Sequence, residues 1–139
     1  MEQHNNDIGT IEDLCKYRID LAKSDLKAAK ILFENNEYRG ANNRAYYAIF
    51  HAINAIHALD GKAYKKHKDA IANFNKNYVK TEIFDRSLGK KISEAEEIRH
   101  ASDYNDFYIA TIKVTEEQIH SAEELIVAIE EYCNSRIEE

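Results

Sequence analysis

The 139-residue sequence has no proline and no tryptophan, and it holds only four glycines, two cysteines and one methionine. Without proline nothing in the chain forces a helix to stop, and so few glycines leave little material for left-handed turns. Ala, Ile, Glu and Lys dominate what remains, which makes an all-helical protein the first expectation. The two cysteines, Cys15 and Cys133, form no CxxC pair and stand at apolar helical positions. They read as reduced core residues of a cytosolic protein. The first residues, MEQHNNDIGTIED, are polar and acidic and lack the apolar stretch of a signal peptide. Residues 40–59 match a membrane span in length, but one Arg, three Asn and two His there argue against insertion. The expectation is a cytoplasmic protein that does not enter the membrane.

At 44% apolar the chain can bury a core of its own, and its length suits a single domain over 1–139, with 1–9 expected as a flexible tail. Net charge is −6, but the charge is unevenly laid out. Residues 62–91 carry nine Lys and Arg against three acids, a net of +6, whereas 92–139 carry three against thirteen, a net of −10. The middle third could draw in a polyanion that the last third would repel. Equally, two solvated helix faces could attract each other.

The stretch 40–59, GANNRAYYAIFHAINAIHAL, has a single charge, Arg44, in a protein that is 32% charged. Ala41, Ala45, Ala48, Ile49, Ala52, Ile53, Ile56 and Leu59 recur at helical steps, and the other side shows Tyr46, Tyr47, Phe50 and Asn54 rather than charge. Such a helix is buried on most sides. Around it the spacing predicts a first helix from Thr10, with Ile11, Leu14, Cys15, Leu21, Ala22, Ala28, Ala29, Leu32 and Phe33 facing inward. The central helix runs from Tyr38 to Asp60, ended by Gly61. A shorter helix covers His67 to Asn77, a fourth Arg86 to Ser102, and a fifth starts between Phe107 and Thr111 and ends near Ser135. The seam of the fifth is Ile112, Ile119, Ile126 and Cys133. Short connections make this an antiparallel up-and-down bundle of four to five helices.

Arg44 and His51 lie two helical turns apart, so they point the same way, with Tyr47 and Asn54 beside them. This pattern fits a ribonuclease pair: a His that moves the 2′-hydroxyl proton and an Arg that holds the phosphate. That chemistry needs no metal, and no cofactor is expected. The same stripe also fits an internal polar cluster that pins helix register, with Arg44 paired to an acid from another helix. Two Glu-x-x-His segments, Glu97/His100 and Glu117/His120, would suit a di-iron bundle. The central helix, however, offers no carboxylate between Arg39 and Leu59 to complete such a site. Tyr64, His67 and Lys68 could stack on a base and touch phosphates, or form an ordinary solvated loop and helix start. Arg99 and Asp103, four apart, suit an ion pair.

The segment Asn43-Arg44-Ala45-Tyr46-Tyr47-Ala48-Ile49-Phe50-His51-Ala52 resembles the signature of the HEPN superfamily, in its branch of small stand-alone proteins. His67-Lys68 with Ile71 and Phe74, and Arg99 with Asp103-Tyr104, are similar to that branch in the expected order. The resemblance implies a helical bundle that dimerises, so that Arg-x6-His motifs from both chains face one cleft. It implies a toxin-like endoribonuclease with His51 as acid–base residue and Arg44 as phosphate ligand. Asn43 would orient either group, while Tyr47, Asn54, Tyr64, His67, Lys68, Arg99, Asp103 and Tyr104 would support or bind RNA. Its alternative is a non-catalytic subunit that binds a minimal nucleotidyltransferase or a nucleotide. Toxins of this kind that are silenced by nucleotidylation carry a tyrosine two residues after the His, where this chain has Ile53.

Overall fold

The computed structural model describes residues 2–138, with side chains from Thr10 to Glu138. It is all-α: α1 (Glu2–Glu34), α2 (Tyr38–Leu59), α3 (His67–Phe74), α4 (Arg86–Tyr104) and α5 (Ile112–Glu138), with a π-helical turn, Asn75–Val79, continuing α3. α1 begins well before Thr10, so the residue at which the first helix was expected to start is interior to it. The tail expected over 1–9 lies outside the residues described with side chains.

Local chemistry explains both ends of the α1–α2 hairpin. At the end of α1, Asn36 adopts φ 64°, and the Glu37 and Asn36 N–H groups donate back to the Leu32 and Phe33 carbonyls at 2.9 and 3.1 Å. At the end of α2, Gly61 does the same at φ 68°, with the Lys62 N–H on His57 and the Gly61 N–H on Ala58. Both are left-handed stops that satisfy the last carbonyls of their helices. Gly61 fills the role its position predicted.

α2 is the central element and touches all four other helices. Ala45, Ala48, Ala52 and Ala55 are fully buried and let neighbouring helices close in, while Ile53 and Ile56 fill the space between them at 0% exposure. Fully burying each such Ile is worth roughly 1.5–3 kcal/mol of transfer free energy. Contacts between elements set the helix directions. Arg18 meets Asn54 and Asp25 meets Arg44, so α1 and α2 run antiparallel. Lys23 pairs with Glu130 and Lys30 with Glu123, so α1 and α5 are antiparallel too. α2 and α5 run the same way, joined near their starts by the Asn42 amide donating to Thr115 Oγ1 at 3.0 Å. Near their ends Arg136 clasps Asp60 at 2.9 Å and donates to the Tyr78 hydroxyl, which itself donates to Asp60.

Two expectations about inward faces are corrected, and the third helix has an unforeseen end. The α1 stripe is Cys15, Ile19, Ala22, Leu26 and Ala29, and Leu14 is 37% exposed. On α5 the predicted seam residue Ile112 is 55% exposed because it is the first residue of the helix, while Thr115 and Gln118 are buried below it. The short third helix passes into the wider π turn after Phe74, which lets Phe74 and Tyr78 both reach the core against Phe84.

Candidate active site

Arg44 and His51 project from one face of α2 toward α1, where Asp25 sits at the rim of the inward stripe between Ala22 and Leu26. One carboxylate serves both: Arg44 Nη1 lies 3.2 Å from Asp25 Oδ1, and His51 Nε2 lies 3.3 Å from Asp25 Oδ2. The Arg44 side chain is 53% exposed, whereas Asp25 is only 16% exposed. Arg44 can therefore swing toward an incoming anion while the carboxylate stays fixed. Burial holds the His51 imidazole below its ordinary pKa, and nearby Asp25 opposes this without reversing it. The ring is therefore neutral at neutral pH, with Nε2 facing the carboxylate as the nitrogen that carries hydrogen.

A second group adjoins the first across Tyr47, whose ring lies 6.4 Å from that of His51 and 6.0 Å from that of His67. His67, the first residue of α3, stacks on Phe50 at 3.8 Å. Its Nδ1 is 3.1 Å from the Tyr46 hydroxyl and 3.5 Å from Arg99 Nη1. A guanidinium can only donate, so His67 Nδ1 is the unprotonated nitrogen. Burial, then the Arg99 charge, then His51 all lower the His67 pKa, so this ring is neutral as well. Arg99 also lies over the Tyr46 ring at 4.9 Å, reaches the Tyr47 hydroxyl at 3.5 Å and pairs with Asp103 at 3.5 Å. Burial is the main reason that Tyr46, only 3% exposed, is pushed up to a pKa of about 12 and keeps its hydroxyl proton.

The structure thus brings Arg44, Tyr47, His51, His67, Arg99 and Asp103 into one continuous patch. Asn43 is half-buried beside Arg44, and Asn54 offers its backbone carbonyl to Arg18 Nη1 at 2.9 Å. Lys68 is exposed next to His67. Tyr64 is placed differently from the expectation: its ring packs edge-on against buried His57 at 4.7 Å and covers the core. Tyr104 is 76% exposed with its ring 4.7 Å from that of His100, outside the patch. Ile53 is fully buried. The carboxylate that ties the motif together, Asp25, is absent from any sequence motif. An acid from another helix opposite Arg44 was one of the two expectations for this stripe, and Asp25 of α1 is that acid. Nothing but its place at the rim of the apolar stripe singled it out among the acids of α1. Glu97, His100, Glu117 and His120 are all exposed, and among the described residues no three His, Cys, Asp or Glu side chains gather as metal ligands would.

The chain is 32% identical over 119 residues to a Thermotoga maritima protein named "UPF0332 protein", an alignment that covers 86% of this chain and 90% of that one. It is 39% identical over 103 residues to a Methanocaldococcus jannaschii protein named "Putative toxin", covering 74% and 73% of the two chains. The family model described as the HEPN domain matches residues 15–132, which run from the first turns of α1 described with side chains to the last turns of α5 and include every residue of the patch. The chain belongs to the HEPN domain family.

Proposed function

We propose that this protein is a metal-independent endoribonuclease of the toxin type, with Arg44 and His51 as its reacting pair. The observation that carries this reading is the shared Asp25, which holds a guanidinium and a neutral imidazole side by side at 3.2 and 3.3 Å on a half-open surface. A neutral imidazole is the form able to accept a proton. In the reaction His51 takes the 2′-hydroxyl proton of a ribose, and the 2′-oxygen attacks the adjacent phosphorus. The bond from phosphorus to the 5′-oxygen breaks, and that oxygen takes a proton from an imidazolium. The products are a 2′,3′-cyclic phosphate and a free 5′-hydroxyl. Arg44 turns from Asp25 to the non-bridging phosphate oxygens and stabilises their growing charge. In this reading two copies place their pairs across one cleft, and the proton that one imidazole takes from the 2′-hydroxyl passes to the leaving oxygen from the imidazolium so formed, directly or through the second ring.

The test is direct. Purified protein should cut single-stranded RNA, and His51→Ala and Arg44→Ala should each lower the rate about 10²- to 10⁴-fold, the range of one acid–base or charge-stabilising group. Intact RNA after incubation with folded wild-type protein would refute the proposal. A second reading, a non-catalytic module that binds a minimal nucleotidyltransferase, has one observation in its favour. Phe107 and Ile109, in the loop between α4 and α5, are 91% and 79% exposed, apolar surface that a protein partner would cover. That reading requires co-purification with a neighbouring partner and RNA integrity that does not depend on His51.

A further inference from the structure

A cavity of about 470 Å³ lies between the π-helical turn and the start of α4, lined by Ala72, Asn75, Lys76, Val79, Lys80 and Arg86. Three of these six residues are cationic and none is acidic. The walls are fixed by the local fold. The Lys80 N–H donates to the Asn75 carbonyl at 2.8 Å and closes the wide turn, while the Phe84 N–H donates to Tyr78 and reverses the chain. Phe74, Tyr78 and Phe84 anchor the underside in the core. On the other side Gly89 brings α4 against the turn: a Cβ there would lie 3.0 Å from Val79 Cγ1. The cationic groups are therefore carried by two rigid elements packed at close range.

These cations are also uncommitted. Lys23, Lys30, Arg44, Lys91, Arg99 and Arg136 are each paired with a carboxylate. Among the described residues Lys76, Lys80 and Arg86 have no ion-pair partner, although the chain carries excess acid. Between the basic middle third and the acidic last third, Lys91–Glu124 is the one ion pair found among the described residues. Mutual attraction of two helix faces thus does not account for the +6 segment. Of the nearest acids in sequence, Asp85 accepts a hydrogen bond from the Ser87 hydroxyl at 2.8 Å, and Glu82 is exposed in the turn.

We propose that this cavity is a phosphate-binding subsite that holds the sugar–phosphate backbone of a single-stranded RNA reaching the Arg44–His51 patch. This rests on the proposed ribonuclease reading for the identity of the strand. Lys76, Lys80 and Arg86 neutralise phosphates, and the aliphatic faces of Ala72 and Val79 receive ribose. The volume is that of an ordinary small-molecule pocket, enough for one nucleotide unit. At about 1.5 Å per residue, the part of α4 from Arg86 to Arg99 covers about 20 Å, so one strand can span both places.

The test uses the His51→Ala protein, so that binding is read without cleavage. A fluorescein-labelled 12-nucleotide RNA is titrated by anisotropy at several salt concentrations, with and without Lys76→Ala, Lys80→Ala and Arg86→Ala combined. The expected result is at least a tenfold weaker Kd and a salt slope shallower by about 2, the release of three phosphate contacts on a single strand. A matched control, Lys16→Ala, Lys27→Ala and Lys113→Ala combined, removes the same charge from exposed positions elsewhere and should have a smaller effect. Circular dichroism melts confirm folding, and Lys76→Arg with Lys80→Arg should restore binding. Equal losses in both triple variants, or an unchanged salt slope, would overturn the proposal. So would displacement of the RNA by ATP at a Kd as tight as that of the strand, which would assign the cavity to free nucleotide. If the subsite variant loses binding while wild-type protein cuts no RNA, the subsite stands and the ribonuclease reading falls.

Discussion

Replacing Asp25 by Asn tests the central geometry, because it removes one charge and preserves shape. His51 Nε2 lies 3.3 Å from the carboxylate, and Coulomb's law at that distance gives about 1.3 kcal/mol in bulk water and about 5 kcal/mol at an effective dielectric constant of about 20. Both side chains are less than a third exposed, so the water figure is a lower bound. His51 should therefore lose at least roughly tenfold in proton affinity in Asp25→Asn, since the substitution removes the one partner that favours its charged form. The assay is an NMR titration of the His51 ring in both proteins. A second consequence has the opposite sign. Arg44 is freed from its carboxylate and the patch loses a negative charge, so RNA should bind more tightly while cleavage slows. Unchanged titration of His51 in Asp25→Asn would refute the reasoning, as would a fall in RNA affinity.

Two further outcomes follow from features away from the reaction. His51, His57 and His67 all have folded pKa values below the ordinary 6.5, with burial the leading cause in each. The unfolded chain therefore binds more protons just below that value, and stability present above about pH 6.5 is lost as the pH falls from there. Thermal melts should show a lower Tm at pH 5.5 than at pH 7.5, and a flat or rising Tm would count against the burial assignments. Gly61→Ala places a Cβ at φ 68° with nothing within 4 Å of it, so the cost is conformational alone. Urea unfolding should show a loss of about 1–2 kcal/mol, with no compensating contact to reduce it.

What the sequence makes legible is set by how strongly each position is constrained on its own helix. The α2 face could be read because Ala45, Ala48, Ala52 and Ile56 repeat without interruption and no charge competes with them. Gly61 could be read because a left-handed residue after an apolar run has few alternatives. The inward stripe of α1 was harder, since Leu14 and Leu21 are apolar but partly solvated while Ile19 and Leu26 do the packing. Hydrophobicity alone does not separate these two phases. Thr115 and Gln118 were invisible as core residues, because a buried Thr is identified by its partner, here Asn42, and that partner lies in a distant segment. The π turn adds one residue to a helical repeat and turns the following face by about 100°, but the segment is too short for its apolar spacing to reveal the change. For the site, spacing aligned Arg44 with His51, and family likeness pointed to His67 and Arg99. Asp25 comes only from the packing of α1 on α2, as does the role of Tyr64 as a lid on His57.

Asp25 has one more consequence. In the resting protein the guanidinium of Arg44 already has an oxyanion in place, held at short range by the fold and so at a high effective concentration. A lone orthophosphate or acetate that approaches Arg44 has to displace that tenant with a single contact and gains little. A polymer that fastens itself elsewhere on the surface carries its own anion into the same contest at comparable effective concentration. The carboxylate thereby works as a resident competitor, which keeps small anions out of the patch and leaves it open to ligands that hold on at more than one point.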